Sequence, residues 1–183
     1  CPLIAATTRV ALVSSPLRSR FSGGVFRMEF YSDEEIAQIV KRSSSLLKTQ
    51  LDEEALHEIA RRSRCTPRTA NYFLKRCRDY AQVHKKSLDK QTVKGALDML
   101  AIDEIGLNAL DRRFLEILIE KFNGGPIGLK TISAALAEEE ATVEEVMEPY
   151  LIQLGLLERT ARGRVATKKA YEHLGFDFVE QEK

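Results

Sequence analysis

The stretch Leu156-Leu157-Glu158-Arg159-Thr160-Ala161-Arg162-Gly163-Arg164-Val165-Ala166-Thr167 decides how the last third of this chain folds. It consists of two short apolar segments joined by a small polar turn that contains glycine, which is the pattern of a β-hairpin. After Glu158 its charged residues are all arginines, and a guanidinium stays charged and offers a fork of donors to phosphate. Taken alone, the hairpin fits a solvated surface turn and a phosphate-binding tip equally well, so the residues before it must decide.

Helical patterns precede and follow this hairpin. A helix starting near Asp111 is stopped by Gly124-Gly125-Pro126, and a brief extended piece leads to a second helix. Thr142 with Glu145 predicts a capping box for a third helix, in which Pro149 predicts a kink or a restart. The second, third and closing helices are predicted at residues 128–136, 142–154 and 168–174. This order is typical of a winged helix-turn-helix, a nucleic-acid-binding or protein-docking module whose wing is the hairpin.

Four further helical patterns lie upstream and predict a small bundle. Ser32 and Glu35 form a capping box, and Thr66 followed by Pro67 supplies a cap and a favoured first helical residue. The other two helices are predicted from about Asp52 to Arg64 and after Asp89. The apolar positions expected to face the bundle core are Ile36, Ile39, Val40, Leu46, Leu47, Leu56, Ile59, Ala60, Ala70, Phe73, Leu74, Cys77, Val93, Ala96, Leu97 and Leu100.

The first 28 residues predict strand, loop, short helix and strand, with strands at Leu3–Ala6 and Val25–Phe30. A piece of this size cannot bury a core of its own, and the chain begins with Cys1 rather than Met. We therefore expect a fragment that continues a larger upstream domain. The predicted fold class is mainly α, with the end of an α/β core followed by a helical bundle and a winged helix.

The composition is that of an ordinary soluble globular chain: 183 residues, 44% hydrophobic and 30% charged, with a net charge of +1. A near-neutral total argues neither for nor against nucleic acid, so local patches must carry that argument. The three cysteines have no metal-ligand spacing and predict reduced thiols in a cytoplasmic protein with no metal site. No apolar run approaches the length of a membrane span.

Three groups of residues could carry chemistry. Thr8 and its neighbours end a predicted strand, and Arg18 and Arg20 follow on a helix, where arginines can neutralise a phosphoryl group. Arg68 lies in a first helical turn, where a cation opposes the helix dipole unless an anion binds there. The third group is the wing with Lys168 and Lys169. In each case ordinary strand ends, caps and surface arginines remain the alternative. The chain contains no G-x-x-x-x-G-K-[ST] loop to hold a triphosphate.

The ordered blocks of this sequence resemble the RuvB family of AAA+ ATPases, the motors of Holliday-junction branch migration, over essentially the whole chain. The matching runs are AATTR at 5–9, SPLRSRF at 15–21, EFY at 29–31, ARRSRCTPRTAN at 60–71, RCRDYA at 76–81, FNGGPIGL at 122–129, EPYLIQ at 148–153 and RTARGR at 159–164. The resemblance implies the end of an AAA+ large ATPase domain at 1–30, a helical lid at 31–102 and a winged-helix DNA-binding domain at 103–183.

The resemblance also implies roles for residues on the nucleotide side. Thr8 would sense the terminal phosphate, and Arg20, with Arg18 nearby, would be the candidate arginine finger or nucleotide contact. Tyr31 would pack near the nucleotide, and Arg68 would contact phosphate from the lid. ATP and Mg²⁺ would be the cofactors of the full-length protein, which would act as a homohexamer.

On the DNA side, the resemblance implies that Arg159 and Arg164 contact DNA from the wing. The substrates would be Holliday junctions and duplex DNA, and the partners RuvA and RuvC. Two departures concern sites: Cys65 stands where the family has glycine, and Glu140 where relatives often have arginine. The alternatives are a non-catalytic duplex-DNA-binding module for this fragment, or a dimeric winged-helix transcription regulator.

Overall fold

The structure is a computed structural model that describes residues 3–7, 9–21 and 23–178. By its contacts the chain divides into two compact units, Cys1–Phe30 and Tyr31–Lys183. The second unit is mainly helical, as the sequence predicts. In the part of the chain that the structure describes, no helix is both long enough and apolar enough to span a membrane.

The first unit contains a 3₁₀ turn at Val10–Leu12 and one helical turn, α1, at Ser15–Arg18, which confirms the predicted short helix. The two predicted strands are wrong, because Leu3–Ala6 and Val25–Phe30 carry no strand pairing. A strand needs a neighbour to accept and donate its backbone hydrogen bonds. The described residues of this unit offer none, and the side chains of Ile4 and Phe26 are almost fully exposed.

A four-helix bundle forms the first half of the second unit. Its helices are α2 at Asp33–Leu46, α3 at Glu53–Arg62, α4 at Pro67–His84 and α5 at Lys90–Met99. The predicted capping box is confirmed, since the Glu35 amide donates to Ser32 Oγ at 3.2 Å and the Ser32 amide donates to Glu35 Oε2 at 2.8 Å. This exchange satisfies two backbone donors at the start of α2.

The bundle core confirms most of the predicted apolar faces. Ile36, Ile59 and Leu97 are completely buried in one cluster with residues of all four helices. Leu46 was predicted to join them and instead is exposed, while the adjacent Leu47 packs partly against the cluster. Successive helical residues point about 100° apart, and at the end of α2 it is Leu47 rather than Leu46 that points toward the cluster.

The second half of this unit has the winged-helix order. Its elements are α6 at Ala109–Phe122, α7 at Leu129–Leu136, α8 at Glu140–Thr142, a π-helical turn at Val143–Met147, α9 at Glu148–Gln153, β1 at Leu157–Thr160, β2 at Gly163–Ala166 and α10 at Lys168–Leu174. A separate apolar cluster holds them together, with Phe114, Leu118, Ile132 and Leu151 fully buried.

We call residues 140–153, which comprise α8, the π-helical turn and α9, the split helix. It begins at Glu140, and Thr142 already has helical dihedral angles, so the predicted Thr142–Glu145 capping box is wrong. The predicted restart at Pro149 is confirmed, because the π-helical turn ends immediately before α9. Proline lacks an N–H and its ring collides with the carbonyl four residues earlier, which a π-helical turn relieves.

A set of polar contacts joins the bundle to the winged helix. The Arg64 guanidinium forms an ion pair with the buried Asp111 at the start of α6 and lies 4.5 Å from the centre of the Tyr150 ring. Tyr150 in turn donates its hydroxyl proton to the Ile105 carbonyl at 2.6 Å. These contacts fix the winged-helix half of the unit to the loop that precedes Arg68 at the start of α4.

Candidate nucleic-acid interface

The wing is an antiparallel hairpin whose register pairs Leu157 with Ala166, Arg159 with Arg164 and Thr160 with Gly163. Leu157 and Ala166 are buried in the winged-helix core. Side chains two residues apart in a strand share a face, so Arg159 and Arg164 lie on the core-facing side of the hairpin. The loop between the strands consists of only Ala161 and Arg162.

A third extended segment secures the base of the wing. The Ile127 amide donates to the Arg164 carbonyl at 3.0 Å, and the Arg164 amide donates back to the Ile127 carbonyl at 2.8 Å. This close pairing requires glycine at position 163, where φ is 141° and an added Cβ would lie 2.3 Å from the Ile127 carbonyl oxygen. The brief extended piece predicted before α7 is therefore an edge of the wing.

Arg164 forms a buried ion pair with Glu148. Its Nε donates to Glu148 Oε1 at 2.7 Å and its terminal nitrogen donates to Oε2 at 3.3 Å. The side chain of Glu148 is 1% exposed and that of Arg164 is 11% exposed. A fork of this kind between planar groups is a strong form of ion pair, and it ties the wing to α9.

Arg159 is the more accessible member of the cross-strand pair. Its terminal nitrogen forms an ion pair with Glu144 and lies 3.4 Å from Glu148 Oε2. The side chains of Arg159 and Glu144 are 46% and 45% exposed, so this pair lies at the surface. Arg159 can therefore exchange partners with a ligand at much lower cost than Arg164.

Arg162 occupies the exposed tip of the wing. Within the described ranges its guanidinium makes no hydrogen bond or ion pair, and only its backbone amide is engaged, at 3.3 Å from Thr160 Oγ1. The nearby lysines are both occupied: Lys168 Nζ lies 3.8 Å from Glu172 Oε1, and Lys169 Nζ donates to the Leu154 carbonyl at 2.8 Å. Among the described residues, the tip thus presents one cation without a side-chain partner, Arg162, to which the sequence assigned no role.

The outer surface of the split helix is acidic. Glu140, Glu144 and Glu145 are all exposed, whereas the apolar Val143 and Met147 face the core. In helix-turn-helix proteins the corresponding helix lies in the major groove, where its side chains approach phosphates and base edges. Carboxylates on that surface repel DNA, so the structure favours the wing over the split helix as the contact region.

Two models of known domain families match consecutive parts of the chain. The RuvB AAA lid domain matches residues 31–103, and the RuvB C-terminal winged helix domain matches residues 104–175. The chain belongs to the RuvB family.

Curated members of the RuvB family align along nearly the whole chain. The Holliday junction branch migration complex subunit RuvB of Ligilactobacillus salivarius is 51% identical over 177 residues, which cover 96% of this chain and 52% of that protein. The protein of the same name from Chloroflexus aurantiacus is 53% identical over 180 residues, with 98% and 51% coverage. The chain thus spans about half the length of these relatives.

Solved structures agree with the sequence relatives. The Thermotoga maritima RuvB Holliday junction branch migration motor is 44% identical, with a TM-score of 0.86 and coverage of 92% of this chain and 57% of that one. A point mutant of the same protein gives a TM-score of 0.88 with coverage of 94% and 58%. The end of an AAA+ core, the lid and the winged helix predicted as the fold class are confirmed by this likeness.

The residues predicted for the nucleotide side are placed as follows. Thr8 lies outside the described residues. Arg18 ends α1, and Arg20 follows it, and both side chains are exposed within the first unit. In the second unit Tyr31 is 40% exposed just before α2. Arg68 is exposed in the first turn of α4 and makes no side-chain bond to any residue that the structure describes. The roles of these five residues stay predictions.

Among the described residues, no side chain caps the backbone amides at the start of α4. Thr66 occupies the capping position, but its hydroxyl donates to the Ser63 carbonyl at 3.2 Å, is hydrogen-bonded to the Thr69 hydroxyl at 2.8 Å and accepts no helix amide. Cys65, at the position where the family has glycine, has a φ of 52°, in the left-handed region that glycine favours. Burial raises the pKa of the Cys65 thiol, which therefore stays protonated at neutral pH.

The pKa values of Tyr150 and Glu58 are shifted by their surroundings in the folded chain. Burial of the Tyr150 ring raises the pKa of its hydroxyl, which therefore remains a hydrogen-bond donor at neutral pH. Burial opposes ionisation of Glu58, but hydrogen bonds and charges from Arg62 and Arg61 outweigh burial and lower its pKa. Both groups have structural roles.

In the part of the chain that the structure describes, no group of three or more His, Cys, Asp and Glu side chains could hold a metal ion.

Proposed function

We propose that this chain is the lid and winged-helix part of an ATP-driven DNA translocase that promotes branch migration of Holliday junctions in recombination and repair. Two consecutive RuvB-specific domains, over residues 31–103 and 104–175, carry this proposal. The curated relatives with 51% and 53% identity bear the name of a branch migration subunit. We assign residues 1–30 to the end of the large ATPase domain, 31–102 to the lid and 103–183 to the winged helix.

The wing is the proposed grip on duplex DNA. Arg162 at the tip offers an uncommitted guanidinium, and Arg159 offers one whose surface partner can be exchanged. Arg164 contributes in either of two ways: it holds the wing on Glu148, or it releases Glu148 and contacts DNA directly. Phosphate contacts of this kind are independent of base sequence, as a motor that moves along any duplex requires.

The acidic split helix separates this proposal from a transcription regulator. Sequence-specific winged helices read base edges in the major groove with polar and basic side chains. Here Glu140, Glu144 and Glu145 occupy the exposed surface of the corresponding helix. We therefore infer backbone recognition without sequence preference.

ATP and Mg²⁺ are the proposed cofactors of the full-length protein. Arg68 fits the part of a phosphate ligand, because it is an exposed guanidinium in a first helical turn whose amides lack a side-chain cap. Tyr31 would lie beside the nucleotide, and Thr8, Arg18 and Arg20 would act from the large ATPase domain. When bound, ATP would supply the free energy for DNA movement, and this chain's residues would bind and orient its phosphates. We expect the chain by itself to bind duplex DNA and to hydrolyse no ATP.

The proposed assembly is a homohexamer on duplex arms of the junction, with RuvA and RuvC as protein partners. The proposed location is the cytoplasm, and the described thiols Cys65 and Cys77 are free, which fits a reducing compartment.

Binding to fluorescent duplexes tests the DNA grip directly. The chain should bind two duplexes of unrelated sequence with equal affinity, and the logarithm of the affinity should fall linearly with the logarithm of the salt concentration. Arg162→Ala together with Arg159→Ala should weaken both duplexes equally and reduce the salt slope by up to about 1.8, since each lost phosphate contact removes about 0.9.

Arg42→Ala serves as the control, because Arg42 is an exposed arginine on α2 of the lid, outside the wing. It should change neither the affinity nor the salt slope. A tenfold preference for one duplex would favour the transcription regulator, and an unchanged affinity in the double variant would exclude the wing from DNA binding.

A further inference from the structure

We propose that Glu144 is a built-in competitor for DNA: its carboxylate occupies Arg159 in the free protein and must be displaced before Arg159 can bind a phosphate. This inference rests on the proposed DNA grip of the wing and adds a residue that sets its strength. No part of the sequence pattern indicates it, because Glu144 and Arg159 lie fifteen residues apart on different elements.

The two carboxylates near Arg159 differ in what they can do. Glu148 is 1% exposed and is held by the fork from Arg164, so it belongs to the framework of the wing. Its nearer oxygen lies 3.4 Å from the Arg159 guanidinium. Glu144 is 45% exposed and forms the shorter ion pair with Arg159. Arg159 is therefore occupied chiefly by a carboxylate that lies at the surface.

Surface position makes this pair exchangeable. A carboxylate and a phosphate present similar oxygen pairs to a guanidinium, so DNA can take the place of Glu144 without a change in the geometry of Arg159. Exposed ion pairs contribute little, which corresponds to a factor of about two to five in a competing equilibrium. Displacement is thus reversible and weakens DNA binding to that extent.

The charge balance of the wing supports the same conclusion. Glu144 and Glu148 together neutralise Arg159 and Arg164, which leaves Arg162 as the uncompensated cation of the hairpin among the described residues. A wing in this state holds DNA weakly until Arg159 changes partner. Weak, exchangeable contacts suit a protein that must release the duplex at each step of movement.

The test is Glu144→Gln, which keeps the shape of the side chain and removes its charge. We expect duplex affinity at low salt to rise by a factor of about two to five. Glu158→Gln is the matched control, because Glu158 is an exposed carboxylate next to Arg159 that makes no ion pair with any described residue. It reports the gain that any lost negative charge on the wing produces.

A double-mutant cycle isolates the pair. In an Arg159→Ala background, Glu144→Gln should raise the affinity no more than Glu158→Gln does. Equal gains from Glu144→Gln and Glu158→Gln in the native background would overturn the inference, and so would a full gain from Glu144→Gln without Arg159. Duplex binding by the unmodified chain keeps the proposed function in place in both cases. If no variant binds any duplex, the proposed function fails and this inference fails with it.

Discussion

The replacement of Arg164 by alanine separates a structural arginine from a DNA contact. Arg164 donates two hydrogen bonds to Glu148, at 2.7 and 3.3 Å, and the Glu148 side chain is 1% exposed. Removing one partner of a buried pair typically costs about 3–5 kcal/mol, because the other charge is left without compensation. Arg159 lies 3.4 Å from the same carboxylate and can partly replace the lost guanidinium. We therefore expect the lower end, about 3 kcal/mol.

Thermal unfolding of the chain measures this cost. For a chain of this size 1 kcal/mol corresponds to about 2–4 °C, so Arg164→Ala should lower the melting temperature by about 6–12 °C. Arg162→Ala is the matched control, since its side chain is exposed, and we expect a change within about 0.5 kcal/mol. Replacing both Arg164 and Glu148 by methionine should recover most of the loss, because neither charge then remains buried.

DNA binding by the same variant completes the experiment. If Arg164 acts only by holding the wing, Arg164→Ala weakens binding but leaves the salt slope unchanged. If Arg164 contacts a phosphate, the slope falls by about 0.9. A melting temperature of Arg164→Ala within about 1 °C of the unmodified chain would refute the reasoning. It would mean that Arg164 is not held by Glu148 in solution.

Two further predictions concern the backbone of the wing and the lid. Gly163→Ala should cost at least about 2 kcal/mol, because its Cβ would lie 2.3 Å from a backbone carbonyl oxygen at a φ of 141°. Gly128→Ala, whose Cβ would have no described atom within 4 Å but which lies at the capping position of α7, should cost less than about 1 kcal/mol in the same melting experiment. The ion pairs of Glu58 with Arg62 and Arg61 lower its pKa below the ordinary 4.5, although burial opposes this. Its contribution to stability is therefore complete above pH 4.5 and is lost as the pH falls through the lowered value. The melting temperatures of the unmodified chain and Glu58→Gln should differ at pH 6, and the difference should shrink as the pH falls below 4.5; a constant difference would contradict this assignment.

The amino-acid sequence by itself determined the features that depend on neighbouring residues. The capping box at Ser32 and Glu35, the helix restart at Pro149 and the hairpin with its two-residue loop all follow from groups a few positions apart. Apolar periodicity placed most of the buried side chains for the same reason. The sequence also indicates that the Arg162 side chain is exposed, because Arg162 lies in the loop between the strands and has no cross-strand partner.

Only the tertiary structure shows which arginines of the wing form ion pairs with glutamates. The alternation of β1 and β2 places Arg159 and Arg164 on the core-facing side of the wing, but what they meet there depends on a helix that comes earlier in the chain. Glu148 and Glu144 reach them only because the split helix packs against the hairpin. An ion pair between distant residues depends on position in space, which no spacing in the sequence records. The sequence predicted a wing with a row of arginines. In the structure Arg159 and Arg164 are paired with glutamates, and among the described residues only Arg162, at the tip of the wing, lacks a side-chain partner.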